Sequence, residues 1–415
     1  MILRIKDYTT KVGSGVTPRG GAETYLDDGI PLFRSQNVTN HGFLMDDIAF
    51  ISEEVDESMK GTRVKPGDVL LNITGASIGR CYYTSDDFER GNVNQHVCII
   101  RPKWNKVKPG YLHYCIISDI GQRQIDLTQT GANREGLSVE DIKGFSFDIP
   151  SLSKQQRIVD YLDEKLAKID GRIDVLEKQQ RAYARLKKSV IHQAVTRGLN
   201  PDVPLKDSGI EWIGMIPEHW EVKRMKDIFS TYSTGLTPES KDETNFSEDE
   251  RYTWVTIGDM DSKVVNISNM CLSEKVIKEK SPIISPKGSL LLSFKLSIGK
   301  TAFAGKDLYT NEAIVTIPPR KTVDLNYFYY LIPKVCLENA TENIYGAKML
   351  NQKIIANMLF AIPPLSEQKA IANYLDEKCA KIDAAIENIG KQIDASKRLK
   401  RALINEVITG QRAVK

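Results

Sequence analysis

Apolar residues recur at steps of three and four along two stretches of the chain. In the first they fall at Ile158, Leu162, Leu166, Ile169, Ile173, Leu176, Tyr183, Leu186 and Val190, a heptad-like stripe broken only by Gln180. In the second they fall at Ile371, Leu375, Cys379, Ile382, Ile386, Ile389, Ile393, Leu399 and Leu403. Each stripe predicts one helix of about 38 residues, roughly 57 Å long at ~1.5 Å per residue. Ser153 and Ser366 follow proline-containing IPxL segments and suit N-caps, with Gln156 three residues on in the first copy. A rod with a single apolar stripe is not stable alone. The economical arrangement packs the two stripes on one another, antiparallel because each helix follows its own domain. The alternative is two separate helices, each packed on its own domain.

The remaining pattern is mixed. Residues 66–73 and 286–293 read as a turn followed by a buried strand, and Val97–Ile100 and Ile314–Ile317 are further apolar runs of strand length. Segments 108–127 and 324–340 read as helical, with Pro109 suited to a helix start. A small α+β domain is therefore expected in each half. Between them, 198–220 is rich in Gly and Pro and holds Trp212 and Trp220, which predicts an extended but ordered connector.

The two halves are copies. Residues 149–180 align without a gap on 362–393, with YLDEK (Tyr161 to Lys165, Tyr374 to Lys378) and AKID (Ala167 to Asp170, Ala380 to Asp383) identical. Upstream the likeness is weaker. RIKD at Arg4–Asp7 faces RMKD at Arg224–Asp227, GVTP at Gly15–Pro18 faces GLTP at Gly235–Pro238, and SIGR at Ser77–Arg80 faces SIGK at Ser297–Lys300. Asn94–Gln95 faces Asn311–Glu312, and Gly131–Ala132 faces Gly346–Ala347. The implied organisation is a variable domain over 1–150, a regular helix over 151–197, a linker over 198–222, a second variable domain over 223–361 and a second helix over 362–415. Two copies of one scaffold carry two different surfaces.

Composition narrows the chemistry. With 57 basic and 54 acidic residues the formal charge is +3, and no segment is strongly basic, so any nucleic-acid surface must be patched together by folding. Six scattered cysteines (Cys81, Cys98, Cys115, Cys271, Cys336, Cys379) form no CxxC pair, which argues against a zinc site and a disulfide framework and suits a reduced cytoplasm. No stretch approaches 18 consecutive apolar residues, and the opening MILRIKDYTTKV does not read as a signal peptide.

Catalytic signatures fail when tested. Ser297-Ile298-Gly299-Lys300-Thr301 resembles the end of a phosphate-binding loop, but that loop needs a glycine where Phe294 stands. Pro201-Asp202 followed by Glu221-Val222-Lys223 mimics a nuclease pattern only loosely, inside the linker. No methyltransferase-type Asn-Pro-Pro-Tyr or Gly-rich cofactor loop occurs, and the five histidines (His41, His96, His113, His192, His219) lack HExxH spacing. No active site, metal or cofactor is expected.

The stretch LKDSGIEWIGMIPEHWEVKRMKD at 205–227 and the duplicated IPxLSxQ…YLDEK…AKID helices resemble the specificity subunits of type I restriction-modification systems, over essentially the whole chain. WIGMIPEHW occurs once, ahead of the second domain. The resemblance implies two target-recognition domains, each reading one half of a bipartite double-stranded DNA target, held apart by two long helices packed as an antiparallel coiled coil. It further implies that the helices set the spacing and dock two methyltransferase subunits, that restriction and translocase subunits join the complex, and that the chain is not an enzyme.

Reading DNA takes polar side chains at base edges and cations on phosphates. The expected contacts in the first domain are the loop Ser14–Arg19 (Ser14, Thr17, Arg19), Arg34, Gln36, Asn37, Arg80, Asn94, Gln95 and Arg134. In the second they are Thr234, Thr237, Lys241, Lys295, Lys300, Asn311, Lys348 and Gln352. The competing readings are a coiled-coil adaptor that touches no DNA, which leaves two elaborate variable domains unexplained, and an enzyme with an unrecognised site.

Overall fold

The computed structural model describes residues 1–129, 136–295, 297–342 and 348–414; the side chains of Glu342 and Lys348 lie outside that description. Two long helices, Leu152–Arg197 and Leu365–Ile408, dominate the chain. The chain divides into two compact units, Met1–Glu177 with Gly390–Lys415, and Lys178–Ile389, so each long helix contributes to both.

In the first unit the strands Thr9–Ser14, Val97–Pro102, Val69–Asn72 and Cys81–Tyr83 form an antiparallel sheet in that order. Ile30–Phe33 pairs in parallel with Asn92–Val93. The second unit repeats this plan. Ser233–Thr234, Ile314–Ile317, Leu290–Ser293 and Thr301–Ala304 are antiparallel neighbours, Val264–Val265 adds a parallel edge, and Trp254–Val255 pairs in parallel with Tyr309–Thr310. Val69–Asn72 and Leu290–Ser293 are buried along their whole length, which is why they read as unbroken apolar runs rather than alternating ones.

The expected helix 108–127 is two helices, Pro109–Ile117 and Asp119–Gln129. Their turn passes Gly121 so close to the preceding carbonyls that a Cβ there would lie 2.2 Å from the Ile116 oxygen. In the second unit the segment is a single helix, Leu325–Asn339. The linker is ordered: Leu205–Asp207 pairs with Met215–Pro217, and Trp220 is fully buried.

Ser153 and Ser366 do not cap the long helices, which begin one residue earlier, at Leu152 and Leu365. The reach-back is made instead by Gln155 and Gln368, whose side-chain amides donate to Pro150 O and Pro363 O at 2.9 Å. The same two side chains accept from the backbone N–H of Lys108 (2.8 Å) and Asp324 (2.9 Å), at the start of each unit's own helix. Gln156 bonds Asp160 one turn along. A second duplicated tie follows. The Tyr114 hydroxyl donates to Asp163 and the Tyr330 hydroxyl to Asp376, so the aspartate of each YLDEK copy fastens its helix to the domain before it.

The helices pack antiparallel within each unit. In the first, Ile158, Val159, Leu162 and Leu166 share a core with Leu403, Ile404 and Val407. In the second, Ala194 and Val195 share one with Ile371, Ala372, Leu375 and Cys379. Along each seam residue numbers rise on one helix as they fall on the other. Each seam also carries one Asp–Lys pair from equivalent positions. Lys400 Nζ lies 2.6 Å from both Asp170 oxygens, and Lys187 Nζ lies 2.6 and 2.7 Å from those of Asp383. Lys400 is 8% exposed. It also meets His41 Nδ1 at 3.0 Å, and burial, followed by the lysine's charge, holds His41 below its ordinary pKa.

Of the expected seam residues, Ile158, Leu162, Leu166, Ile173, Leu176, Ile371, Leu375, Ile382 and Ile389 are buried, and Ile169 and Ile386 are half-buried. Leu186 and Leu399 are not: they are 48% and 54% exposed. Both lie four heptads beyond the first stripe residue of their helix, and a strict seven-residue spacing drifts by ~20° per heptad on a straight α-helix. The seam has by then rotated away, and in the second long helix it passes through Ser396 and Lys400 instead.

Because the two ion pairs differ in burial, their loss should differ in cost. Asp170→Ala leaves Lys400, whose side chain is 10% exposed, without its 44% exposed carboxylate and is expected to cost about 1–2 kcal/mol, between the surface and the fully buried limits. Asp383→Ala, in a pair whose side chains are 32% and 53% exposed, should cost under ~1 kcal/mol. Urea unfolding of both variants measures this, and equal losses would refute a seam registered by the buried pair.

Candidate nucleic-acid interface

At one end of the first unit's sheet, four turns are tied together by backbone and buried amides. Gly15 N–H donates to Val97 O (2.9 Å) and Val16 N–H to Val93 O (3.2 Å). The chains approach so closely that a Cβ on Gly15 would lie 2.0 Å from the Val93 oxygen. Asn94 N–H donates to Phe33 O, and Asn94 Oδ1 accepts from His96 N–H. The turn after Phe33 closes through Arg34 N–H to Asn37 Oδ1 at 3.0 Å. Beneath it, fully buried Asn72 donates to Ser35 O (2.7 Å) and Val38 O (3.2 Å), while its own backbone pairs with Gly79 and Arg80.

The second unit builds the same arrangement from other residues. Leu236 N–H donates to Thr310 O (2.9 Å), and a Cβ on Gly235 would lie 1.8 Å from that oxygen. Asn311 N–H donates to Val255 O, and Asn311 Oδ1 accepts from Ala313 N–H. The turn after Val255 closes through Thr256 N–H and hydroxyl to Asp259 Oδ2, both 2.8 Å. Ser293 stands where Asn72 stands, and the turn's support comes instead from Lys300 Nζ, which donates to Ile257 O (3.1 Å) and pairs with Asp261.

The expected contacts therefore separate into two kinds. Arg19, Gln36, Arg80 and Gln95 in the first unit, and Thr237, Lys241 and Lys295 in the second, are exposed, although Gln36 donates to the Asp47 carboxylate and Thr237 Oγ1 accepts from Glu312 N–H at 3.4 Å. Asn37 and Asn94 are buried, and Asn311 half-buried, with their side chains used inside the turns. Arg34 is turned inward: its guanidinium donates to Asp47 O (2.5 Å), lies 3.5 Å from the Asp47 carboxylate and covers the Tyr25 ring at 5.7 Å. Lys300 is likewise engaged. Ser14, Thr17 and Thr234 are half-buried along the same edge. Gln352 is exposed in the first turn of a separate helix, Gln352–Asn357. Arg134 lies outside the described residues, as does the side chain of Lys348.

Sequence reasoning missed Asn72 and the whole turn Thr256–Asp259. A faint signal existed: both turns run from an apolar residue through three others to an Asn or Asp and then an apolar residue (Phe33 to Val38, Val255 to Met260). Among the described residues no His, Cys, Asp and Glu cluster could hold a metal ion, and no helix is long and apolar enough to cross a membrane.

The comparisons agree with this duplicated plan. A family model described as the type I restriction modification DNA specificity domain matches twice, over residues 3–179 and 217–394. The EcoKI type I restriction enzyme specificity subunit of Escherichia coli K12 is 22% identical over 437 residues, covering 99% of this chain and 89% of that protein. A chain solved in work on complex assembly and conformational transition of the type I R-M system superposes with a TM-score of 0.76 at 15% identity, covering 98% of this chain and 97% of the other. The HsdS subunit of Thermoanaerobacter tengcongensis superposes at 0.56 with 16% identity, covering 99% and 97%.

Asn72→Ala removes two donors from buried carbonyls and is expected to cost about 1–3 kcal/mol. Hydrogen exchange should accelerate at the amides of Arg34–Val38 and stay unchanged at Thr256–Met260. Acceleration at both turns would contradict independent frameworks.

Proposed function

The chain belongs to the type I restriction-modification DNA specificity family, and from that premise we propose that it is the non-catalytic subunit through which such a complex reads a bipartite DNA target, one half-site per unit. The observation that carries this reading is that both units erect the same hydrogen-bonded turns and then expose different groups on them: Gln36, Arg80 and Gln95 in one, Lys241, Lys295 and Glu312 in the other. A shared frame with unlike polar tips suits direct readout in a major groove, where amides, hydroxyls and cations distinguish base pairs and bind phosphates. Two half-sites of different sequence follow. The setting is the cytoplasm, where the DNA is.

On this reading the long helices fix the distance between half-sites, and each docks one methyltransferase subunit. The docking is supported by Leu186 and Leu399, equivalent residues in the repeated triplets Arg185-Leu186-Lys187 and Arg398-Leu399-Lys400, which expose apolar surface that the seam does not use. Leu186→Glu and Leu399→Glu should each release one methyltransferase copy and the double variant both, as native mass spectrometry would count. A double variant that keeps both copies would rule these residues out as anchors.

Sequencing of methylated DNA from cells that carry the intact complex tests the reading itself. The Gln36→Ala/Gln95→Ala variant should relax the first half-site by one or two positions and leave the second untouched, and Lys241→Ala/Lys295→Ala should do the reverse. Removing seven residues from each helix between its Asp and Lys partners keeps the heptad phase and shortens the rod by ~10 Å. The spacer should then shrink by about three base pairs with both half-sites unchanged. An adaptor that touches no DNA would leave the methylated motif the same in every variant.

A further inference from the structure

At the far end of the second unit's sheet from the recognition turns lies a concavity of about 880 Å³. The strand Leu290–Ser293 connects the two places: Ser293 sits under the recognition turns, while Gly288 lines the concavity. The antiparallel strand Thr301–Ala304 likewise ends in it, at Ala304 and Gly305. Val264, Phe303, Ala304, Pro319, Leu325 and Leu365 make an apolar floor, and Lys263, Lys287, Arg320, Lys321 and Lys369 stand around it.

Two of these cations are held within the unit. Lys263 pairs with Asp376 and lies over the Tyr329 ring at 5.1 Å, and Arg320 donates to the Ser230 (2.6 Å) and Thr231 (2.9 Å) hydroxyls. The other three, Lys287, Lys321 and Lys369, are exposed, and among the described residues their ammonium groups have no carboxylate partner. The one acidic residue in the lining, Asp324, is occupied in capping the helix Leu325–Asn339. The Asp307 carboxylate accepts from the Lys287 backbone N–H at 2.8 Å, but among the described residues the three ammonium groups stand without an ion pair beside apolar surface that is unfavourable to leave in water.

We propose that this concavity receives an acidic peptide segment with apolar anchors, carried by a protein subunit of the complex; the inference rests on the functional reading above. The apolar floor decides between the two polyanions such a complex offers. A phosphodiester backbone satisfies the lysines but brings no side chains to bury, whereas an acidic segment with Leu, Phe or Met among its carboxylates satisfies floor and rim together. The site belongs to one unit. At the aligned corner of the first, Trp104 takes the place of Lys321 and lies against Gly67, where a Cβ would be 2.4 Å from its ring, and Gln156 takes the place of Lys369. Two repeats otherwise built alike thus differ here, and the partner segment binds once per chain.

The test places a photo-reactive benzophenone amino acid at Lys321 or, separately, at Thr237, in the full complex on its methylated target duplex. Irradiation at position 321 should join this chain to a protein subunit, through a peptide that mass spectrometry shows to combine Asp or Glu with large apolar residues. Lys287→Glu/Lys369→Glu, introduced beside the probe, should cut that yield at least tenfold while the melting temperature holds. Attachment to DNA at position 321, no protein adduct, or a yield indifferent to the charge reversals would each overturn the proposal. Position 237 reports on the functional reading alone: it should capture DNA, and its failure to do so would count against DNA reading whatever position 321 captures.

Discussion

Everything else in the molecule depends on two amphipathic helices that cannot stand alone and are paired through one Asp–Lys contact in each unit. An apolar stripe by itself tolerates sliding, because a shift of one heptad still brings apolar residues together. The ion pair does not tolerate it. Moving the second long helix by seven residues would bring Ile393 or Val407 opposite Asp170 and carry Lys400 away from the carboxylate that its burial requires. The apolar seam supplies the stability, and the buried charge supplies the register. Asp170 and Asp383 are one repeat position and Lys187 and Lys400 another, so the same two residue types meet in both seams, with the tighter constraint in the first, where the lysine is buried.

The exact repetition of YLDEK and AKID then has a physical cause. Leu162 and Leu375 fill the two cores, Asp163 and Asp376 receive tyrosine hydroxyls from the preceding domain, and Asp170 and Asp383 receive the lysines. A helix so constrained on one face by a domain and on another by its partner has few free positions. That is why the helices, their number and their pairing were legible in the sequence, while the heads diverged.

What was not legible follows from the same physics. Periodicity alone placed Leu186 and Leu399 in the seam, because a seven-residue count ignores the drift of a 3.6-residue helix. The serines of IPxLS looked like caps, because nothing local announces that Gln155 and Gln368 span two elements to satisfy the helix start and a second backbone N–H at once. Asn72 carried no signal, since a buried amide that supports a turn 34 residues earlier in the chain is a tertiary fact. The α+β plan of each unit and its central strands did show, because buried strands are unbroken apolar runs.

Within the heads the repeat also inverts a natural assumption. Residues that match between the halves were attractive as readers of DNA, yet the structure gives them framework duties. Gly15 and Gly235 allow close chain approach, and Asn94 and Asn311 close turns with their own side chains. Matching residues hold the frame, and on the proposed reading discrimination falls to positions where the copies differ. Gln95 and Glu312 occupy one such position, beside those asparagines. An amide can pair bidentately with adenine, whereas a carboxylate can only accept, as from the cytosine amino group, and repels phosphate. On that reading, this one aligned difference gives the two copies a chemical basis for preferring different bases. On the proposed reading, divergence in the heads lets a duplicated fold address an asymmetric sequence while the helices that hold it keep their repeated residues.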